Sequence, residues 1–265
     1  MGNLLNVKEL SYKYKNDFVI ENLSFSIDKK KIYTFLGSNN SGKTTLIKLL
    51  SGILHQDCSF FFDGVSNNNN FCRNYLSMIN FFIPYKKIRE SRRTVLSFLK
   101  KWASVYGFNK KNIDSFMYNN DIDDLKKTKI INLNDYDFFK VILNALILKN
   151  PKVIYFDDIF DYVGFNDYSN MIRYIKKIQK FNDISIIFTS KMLDRCLFSD
   201  KVFFLCNGRI KYEGEISSIL EHDNVLAREG ITISPMLDLS LKLKFYELCD
   251  TVEMNPRKMV EKLWE

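Results

Sequence analysis

No apolar run in the sequence approaches the ~18–20 residues that cross a bilayer as a helix, so an integral membrane protein is not expected. Histidine is nearly absent, with only His55 and His222, which leaves little room for imidazole chemistry. The five cysteines (Cys58, Cys72, Cys196, Cys206, Cys249) are odd in number, scattered and never spaced C-x-x-C. That argues against a disulfide framework or a zinc cluster, and for a reducing interior. Met1 to Leu5 lacks a basic stretch ahead of an apolar core, so no signal peptide is expected. The basic charge comes with no nucleic-acid motif, and no nucleic-acid partner is expected.

What is present suits one packed domain, or one domain carrying an inserted subdomain, in 265 residues. Hydrophobic residues make up 46% and charged residues 26%, too apolar for global disorder. Lys plus Arg exceeds Asp plus Glu by 39 to 31, a net charge of +8. That excess fits a phosphate ligand, a nucleic acid or an anionic membrane surface, and does not choose among them.

The first third is β-rich. Leu4 to Tyr12 alternates loosely, and Ile20 to Ile27 more clearly. Lys31 to Leu36 is a buried strand running into a loop at Gly37. Leu46, Leu49, Leu50 and Ile53 then fall on one face of an amphipathic helix. Ser59 to Phe62 with Asp63-Gly64 forms a strand and turn, and Asn67 to Asn70 a loop. Val95, Leu99, Trp102 and Tyr106 make a helical stripe ending at Gly107, and a polar stretch of helix pieces and loops follows from Asn109 to Lys129. A helix from Phe138 stops before Pro151. Lys152 to Phe156 is an apolar strand ending at Asp157-Asp158. Met171, Ile172, Ile175 and Ile178 predict another helix, and Ile184 to Thr189 another buried strand. Asn207-Gly208 between Lys201–Cys206 and Arg209–Tyr212 predicts a hairpin. Alternating strands and helices imply a mostly parallel, helix-covered sheet.

The sharpest motif is Gly37-Ser38-Asn39-Asn40-Ser41-Gly42-Lys43-Thr44, a match to G-x-x-x-x-G-K-[ST] placed between a buried strand and an amphipathic helix. Its glycines let successive amides point inward at phosphate oxygens, and the helix N-terminus adds partial positive charge. Lys43 would reach the β- and γ-phosphates of a bound nucleotide, and the Thr44 hydroxyl would ligate Mg²⁺. Asp157, delivered by the strand Val153-Ile154-Tyr155-Phe156, is the candidate carboxylate for the metal's water shell.

With these residues the chain resembles the ATP-binding subunits of ABC transporters, over nearly its whole length. Leu10 to Tyr14 and Ile20 to Ile27 are similar to the family's opening sheet, which implies Tyr14 as the aromatic that stacks on adenine. Gly37 to Thr45 is similar to its phosphate loop, Leu148 to Asp157 to its second strand, and Asn207 to Gly214 to its closing hairpin. The tail, with Gly230-Ile231, Pro235, Leu239 to Lys244 and Met259 to Trp264, is similar to that of energy-coupling-factor ATPases. The resemblance implies an α/β P-loop NTPase with a RecA-like core, an N-terminal antiparallel β subdomain and an inserted helical subdomain at about 72–145. The cassette would span residues 1–220 and a small helical extension 221–265. Partners would be separate transmembrane subunits and a second ATP-binding subunit, in a homo- or heterodimer. The location implied is peripheral, on the cytoplasmic face of the cell membrane.

Several family positions are altered. The signature loop, Leu-Ser-Gly-Gly-Gln in the family, falls here on Leu133-Asn134-Asp135-Tyr136-Asp137, where Asp135 and Asp137 place negative charge near a triphosphate. The catalytic glutamate is Asp158, which sets a candidate general base about 1–1.5 Å back. The switch histidine is Ser190, the expected glutamine is Ile83 or Tyr85, and the loop Ile159 to Gly164 lacks the closing Asp. Two readings follow: a slow ATPase using Asp158, or an ATP-binding regulatory half of an asymmetric pair. Asn39 and Asn40 would bond phosphate or the partner chain. The basic runs Lys29-Lys30-Lys31 and Lys86 to Arg93 read as solvated surface, or as contacts to a membrane partner or an anionic lipid face.

Overall fold

The computed structural model describes residues 3–15, 17–54, 59–62, 65–66, 88–160, 163–220 and 223–264. Several sequence expectations lie outside the described residues: the Asp63-Gly64 turn, the Asn67 to Asn70 loop, the glutamine position at Ile83 or Tyr85, Lys86-Lys87, Cys58, Cys72, Asp161-Tyr162 and both histidines.

Two sheets organise the chain. The first is antiparallel, in the order β2-β1-β4-β5: β1 is Asn3–Tyr14, β2 Asp17–Asp28, β4 Ser59–Phe62 and β5 Val65–Ser66. The second has the order β6-β7-β3-β8-β9: β3 is Ile32–Leu36, β6 Val153–Phe156, β7 Ser185–Ser190, β8 Lys201–Cys206 and β9 Arg209–Gly214. In the second sheet β6, β7, β3 and β8 run parallel, and β9 closes the edge antiparallel. The parallel strands read as near-continuous apolar runs because both faces are covered.

Strand alternation sorts the core. Ile154, Phe156, Ile186 and Phe188 point to one face, against helices α4 (Asp135–Ile147) and α5 (Phe165–Asn182). Tyr33, Phe35, Val153, Tyr155, Ile187 and Phe203 point to the other, where they meet α1 (Lys43–Leu50) and the inner face of the antiparallel sheet. Burying these two faces is the main source of stability. Between β5 and α4 in sequence come α2 (Val95–Tyr106) and α3 (Ile113–Asn119). Thr94 caps α2 at its start by accepting from the Ser97 amide, and the left-handed Gly107 ends it.

Helix α1 is shorter than its apolar spacing suggests. It stops at Leu50, and Ile53 lies in the following turn, 51% exposed. Gly52, at φ 68°, turns the chain out of the helix before the fourth apolar position is reached. After β9 come α6 (Ile216–Leu220), α7 (Asp223–Arg228), α8 (Pro235–Phe245) and α9 (Pro256–Leu263). Ile219, Leu226, Ile231 and Leu237 from this region join Leu36, Leu193, Val202 and Phe204 in a third cluster. No described helix is long and apolar enough to cross a membrane.

Candidate nucleotide site

The parallel strands deliver their C-terminal ends to one edge, where loops of such sheets bind ligands. Gly37 follows β3, Asp157 follows β6, and Ser190 ends β7, with the Gly37 amide donating to the Ser190 carbonyl at 3.0 Å. A cleft of about 570 Å³ opens at this edge, lined by Val19, Asn39, Asn40, Gly42, Lys43, Thr44, Thr45 and Asp158. Most of the motif residues therefore converge there.

The loop's curvature depends on residues without side-chain bulk. Gly42 has φ 102°, and a Cβ on it would lie 2.7 Å from the Val19 carbonyl oxygen. A Cβ on Gly37 would lie 2.4 Å from Ser41 Oγ and 2.6 Å from the Leu205 carbonyl oxygen. Helix α1 begins immediately afterwards. Its first hydrogen bond runs from the Leu46 amide to the Gly42 carbonyl, and the preceding amides of the first turn have no helical acceptor. Lys43 is buried at the centre, with Nζ donating to the carbonyls of Gly37 (2.8 Å) and Ser38 (3.0 Å). Ser41 Oγ is buried and has no hydrogen-bond partner among the described residues. A cradle that a methyl group would fill, an orphaned hydroxyl and a buried ammonium fit a polyanionic phosphate chain.

Across the cleft, the Thr44 hydroxyl donates to Asp157 Oδ2 at 2.8 Å. These two hard oxygen donors fit Mg²⁺. Burial pushes the Asp157 carboxyl above the ordinary carboxylate range, against the hydrogen bonds from Thr44 and Thr189 that pull it down. A carboxylate with a raised folded-state pKa loses stability as pH climbs from its unfolded value through its folded one. Asp157→Asn is therefore expected to raise the neutral-pH unfolding midpoint of the nucleotide-free chain and flatten its profile above pH 4. The same change is expected to abolish the Mg²⁺ dependence of nucleotide binding. Unfolding scans across pH, paired with titrations with and without Mg²⁺, check both.

Two contributors were invisible as site residues in the sequence. Thr189 is fully buried, and its Oγ lies 2.9 Å from both Asp157 Oδ1 and Asp158 Oδ1 while accepting the Asp158 amide at 2.8 Å. It ties the two acids together, and the only sequence signal was its place at the end of a buried strand. Gly208, at the tip of the β8–β9 hairpin, donates its amide to the Ser41 carbonyl and accepts from the Glu21 amide. At φ 73°, with a Cβ that would lie 2.5 Å from the Val19 carbonyl oxygen, this position admits only glycine.

Other expected positions lie differently. Tyr14 ends β1 42% exposed, edge-on to Tyr12 at 4.9 Å, and is not among the residues lining the cleft. Ser190 is fully buried; its Oγ contacts the Met192 carbonyl (3.2 Å) and accepts the Met192 amide (2.9 Å) in a local turn. The altered signature loop forms the N-terminus of α4. Asn134 caps it by accepting the Asp137 amide at 2.7 Å and donates to Asp137 Oδ2 at 2.9 Å, while Arg89 reaches Asp135 at 3.2 Å. The Asn134 side chain thus caps this helix end, with the carboxylates of Asp135 and Asp137 beside it in the first turn.

Residues 20–161 match the ABC transporter family. The chain belongs to that family. Its relatives include a zinc import ATP-binding protein of Ehrlichia ruminantium (strain Gardel), 26% identical over 84% of this chain and 88% of that protein. They also include an energy-coupling factor transporter ATP-binding protein of Ureaplasma parvum serovar 3, 22% identical over 99% of this chain and 94% of its own length. Among solved structures, the ADP conformation of an ATP-binding cassette of an ABC transporter superposes with a TM-score of 0.75 at 18% identity, covering 86% of this chain and 98% of that one. A cbiO1 structure from Clostridium perfringens gives 0.74 at 21%, covering 85% and 94%. The fold is that of the ATP-binding cassettes, a P-loop NTPase fold, as the resemblance implied.

Proposed function

We propose that this chain is the ATP-binding subunit of an ABC-type transporter. It binds Mg-ATP on the loop 37–45 and couples ATP binding and hydrolysis to transport by separate membrane subunits. The observation that carries the reading is the buried Lys43 ammonium donating to two loop carbonyls, near the orphaned Ser41 hydroxyl. On phosphate binding Lys43 exchanges those neutral carbonyls for charged oxygens, and the amides at the start of the helix face the same anion. Ser38, Asn39 and Asn40 form the rim, and Tyr14 is the platform for the base. Thr44 and Asp157 hold the magnesium ion, which when bound withdraws charge from the phosphate oxygens. The cassette occupies residues 1–220, including the helical subdomain, and 221–265 form the C-terminal extension. The site faces a second ATP-binding subunit, and the chain sits peripherally on the cytoplasmic face of the membrane.

A second reading is favoured by specific geometry: this chain is the weakly hydrolysing half of an asymmetric pair. Asp135 and Asp137 put negative charge in the first turn of the helix that would approach a partner's nucleotide, Asn134 caps that end, and the Ser190 hydroxyl is bonded within its turn. Asp158 lines the cleft but already accepts a hydrogen bond from Thr189 at one carboxylate oxygen, which lowers its strength as a base. The discriminating experiment is ATP turnover of the purified chain, alone and mixed with candidate partner subunits. This second reading expects low turnover alone and the same rate in Asp158→Asn. A robust rate abolished by Asp158→Asn would establish Asp158 as a competent base and remove the regulatory reading.

A further inference from the structure

We propose that the segment between α7 and α8, Glu229 to Ser234, positions the phosphate loop, so that its seating and nucleotide binding strengthen each other. The inference rests on the nucleotide reading above and adds to that site residues remote from it in sequence. Gly230, at φ 78°, lies with its backbone against the loop: a Cβ there would stand 3.5 Å from Ser38 Cβ. Ser38 is a residue whose carbonyl accepts from Lys43, at 3.0 Å, a bond that Lys43 gives up when it turns to phosphate. Glu229 joins the two strands of the β8–β9 hairpin, accepting from Cys206 Sγ at 3.0 Å and pairing with Lys211. The tip of that hairpin, Gly208, donates its amide to the Ser41 carbonyl at 3.0 Å. The segment also pairs with the chain leaving β7. The Thr232 amide donates to the Lys191 carbonyl and the Leu193 amide to the Thr232 carbonyl, both at 2.9 Å, and Thr232 forms a parallel bridge with Met192. Ser234 Oγ donates to Asp194 Oδ1 at 2.7 Å and accepts the Leu237 amide at 3.2 Å, so one hydroxyl ties that chain to the start of α8.

The same short segment therefore touches the phosphate loop and holds both the hairpin whose tip bonds Ser41 and the chain that follows Ser190, whose carbonyl accepts the Gly37 amide. Its interior contacts are tight. Asp194 is buried, and its carboxylate accepts from the Ser234 amide as well as the hydroxyl, so losing the hydroxyl leaves a buried charge short of a donor. Ile231 is buried in one cluster with Leu193 and with Leu36, the residue before Gly37. Close packing of this kind passes a displacement at one end to the other. A triphosphate that draws Lys43 away from Ser38 and fixes the loop thereby fixes the surface on which Gly230 and Ile231 sit. By linkage, the seated segment favours nucleotide by the same factor by which nucleotide favours the seated segment.

The test is amide hydrogen exchange of the full chain with and without Mg-ATP, joined to calorimetric titration of the same samples. In the parent, nucleotide is expected to slow exchange at Thr232 and Leu237 about fivefold, besides protecting residues 41–45. Ser234→Ala is expected to weaken Mg-ATP binding about fivefold and to remove the slowing at Thr232, and Ser234→Thr, which keeps the hydroxyl, restores both. Gly230→Ala, at an exposed position, carries the same test should Ser234→Ala not fold. Alanine resists the left-handed φ that lays the segment on Ser38, and Mg-ATP binding weakens about threefold. Asn255→Ala removes the side chain that caps α9 and lies outside the segment, and it leaves affinity and Thr232 exchange within about twofold of the parent. Protection at residues 41–45 with none at Thr232 or Leu237 would overturn the inference and leave the nucleotide reading intact. So would parent-like Mg-ATP affinity in a folded Ser234→Ala or Gly230→Ala chain that merely melts earlier, or an equal loss in Asn255→Ala. No protection at residues 41–45 would overturn the nucleotide reading, and this inference with it.

Discussion

Replacing Lys43 with alanine is expected to lower affinity for Mg-ATP about a hundredfold. The ammonium is buried, and it donates hydrogen bonds to two neutral carbonyls, those of Gly37 and Ser38. Exchanging them for phosphate oxygens gains charge assistance at each contact, roughly 3 kcal/mol in total, or about two decades in the dissociation constant. Alanine also leaves the loop carbonyls without their donor, so some thermal stability is lost as well. Calorimetric titration of both proteins, with an unfolding scan of each, separates the two effects. Equal nucleotide affinity in a folded Lys43→Ala chain would refute the assignment of the loop.

The second large effect is on the fold. Phe160→Ala is expected to cost about 3–5 kcal/mol of stability, the range for a fully buried aromatic truncated in a core. The Phe160 ring lies 5.2 Å from Phe188, 5.7 Å from Phe139, 5.9 Å from Tyr168, 6.1 Å from Phe198 and 6.3 Å from Phe156. These neighbours come from α4, β6, α5, β7 and the segment after β7, so the cavity has rigid walls and little can collapse into it. Phe160 also follows Asp158 by two positions, and it anchors the chain that leaves the site. Urea unfolding measures the loss. Phe181→Ala, at a side chain 75% exposed, is the matched control and should change stability by less than about 0.5 kcal/mol.

These contrasts show what a linear sequence discloses. The phosphate loop was legible because its chemistry is local: the glycines, Lys43 and Thr44 are consecutive, and the apolar residues on either side define the strand and helix. Asp157 was legible because four buried apolar residues mark the strand that presents it. Thr189 and Gly208 were not, since their importance is a matter of strand order. Threading β7 and β3 between β6 and β8 brings Thr189 to Asp157 and Asp158, and a hairpin tip to Ser41. No residue spacing encodes that. Ile53 shows the opposite error, in which apolar periodicity ran past a left-handed Gly52 that ends the helix. At the signature position, composition disclosed the acids but not their bonding. Asn134 caps the helix through its side-chain oxygen and donates to Asp137, while Asp135 gains an opposite charge from Arg89.

The most direct test follows backbone amide resonances while Mg-ATP is added to the intact chain. The protein has a second cleft of similar size, about 520 Å³, between β2 and β9, lined by residues including Glu21, Ser24, Arg209 and Glu213. Specific triphosphate binding predicts the largest shifts at the amides of Ser41, Gly42, Lys43, Thr44 and Thr45, with the β2–β9 cleft unchanged. Shifts confined to that second cleft, or none at residues 41–45 at saturating nucleotide, would contradict the account.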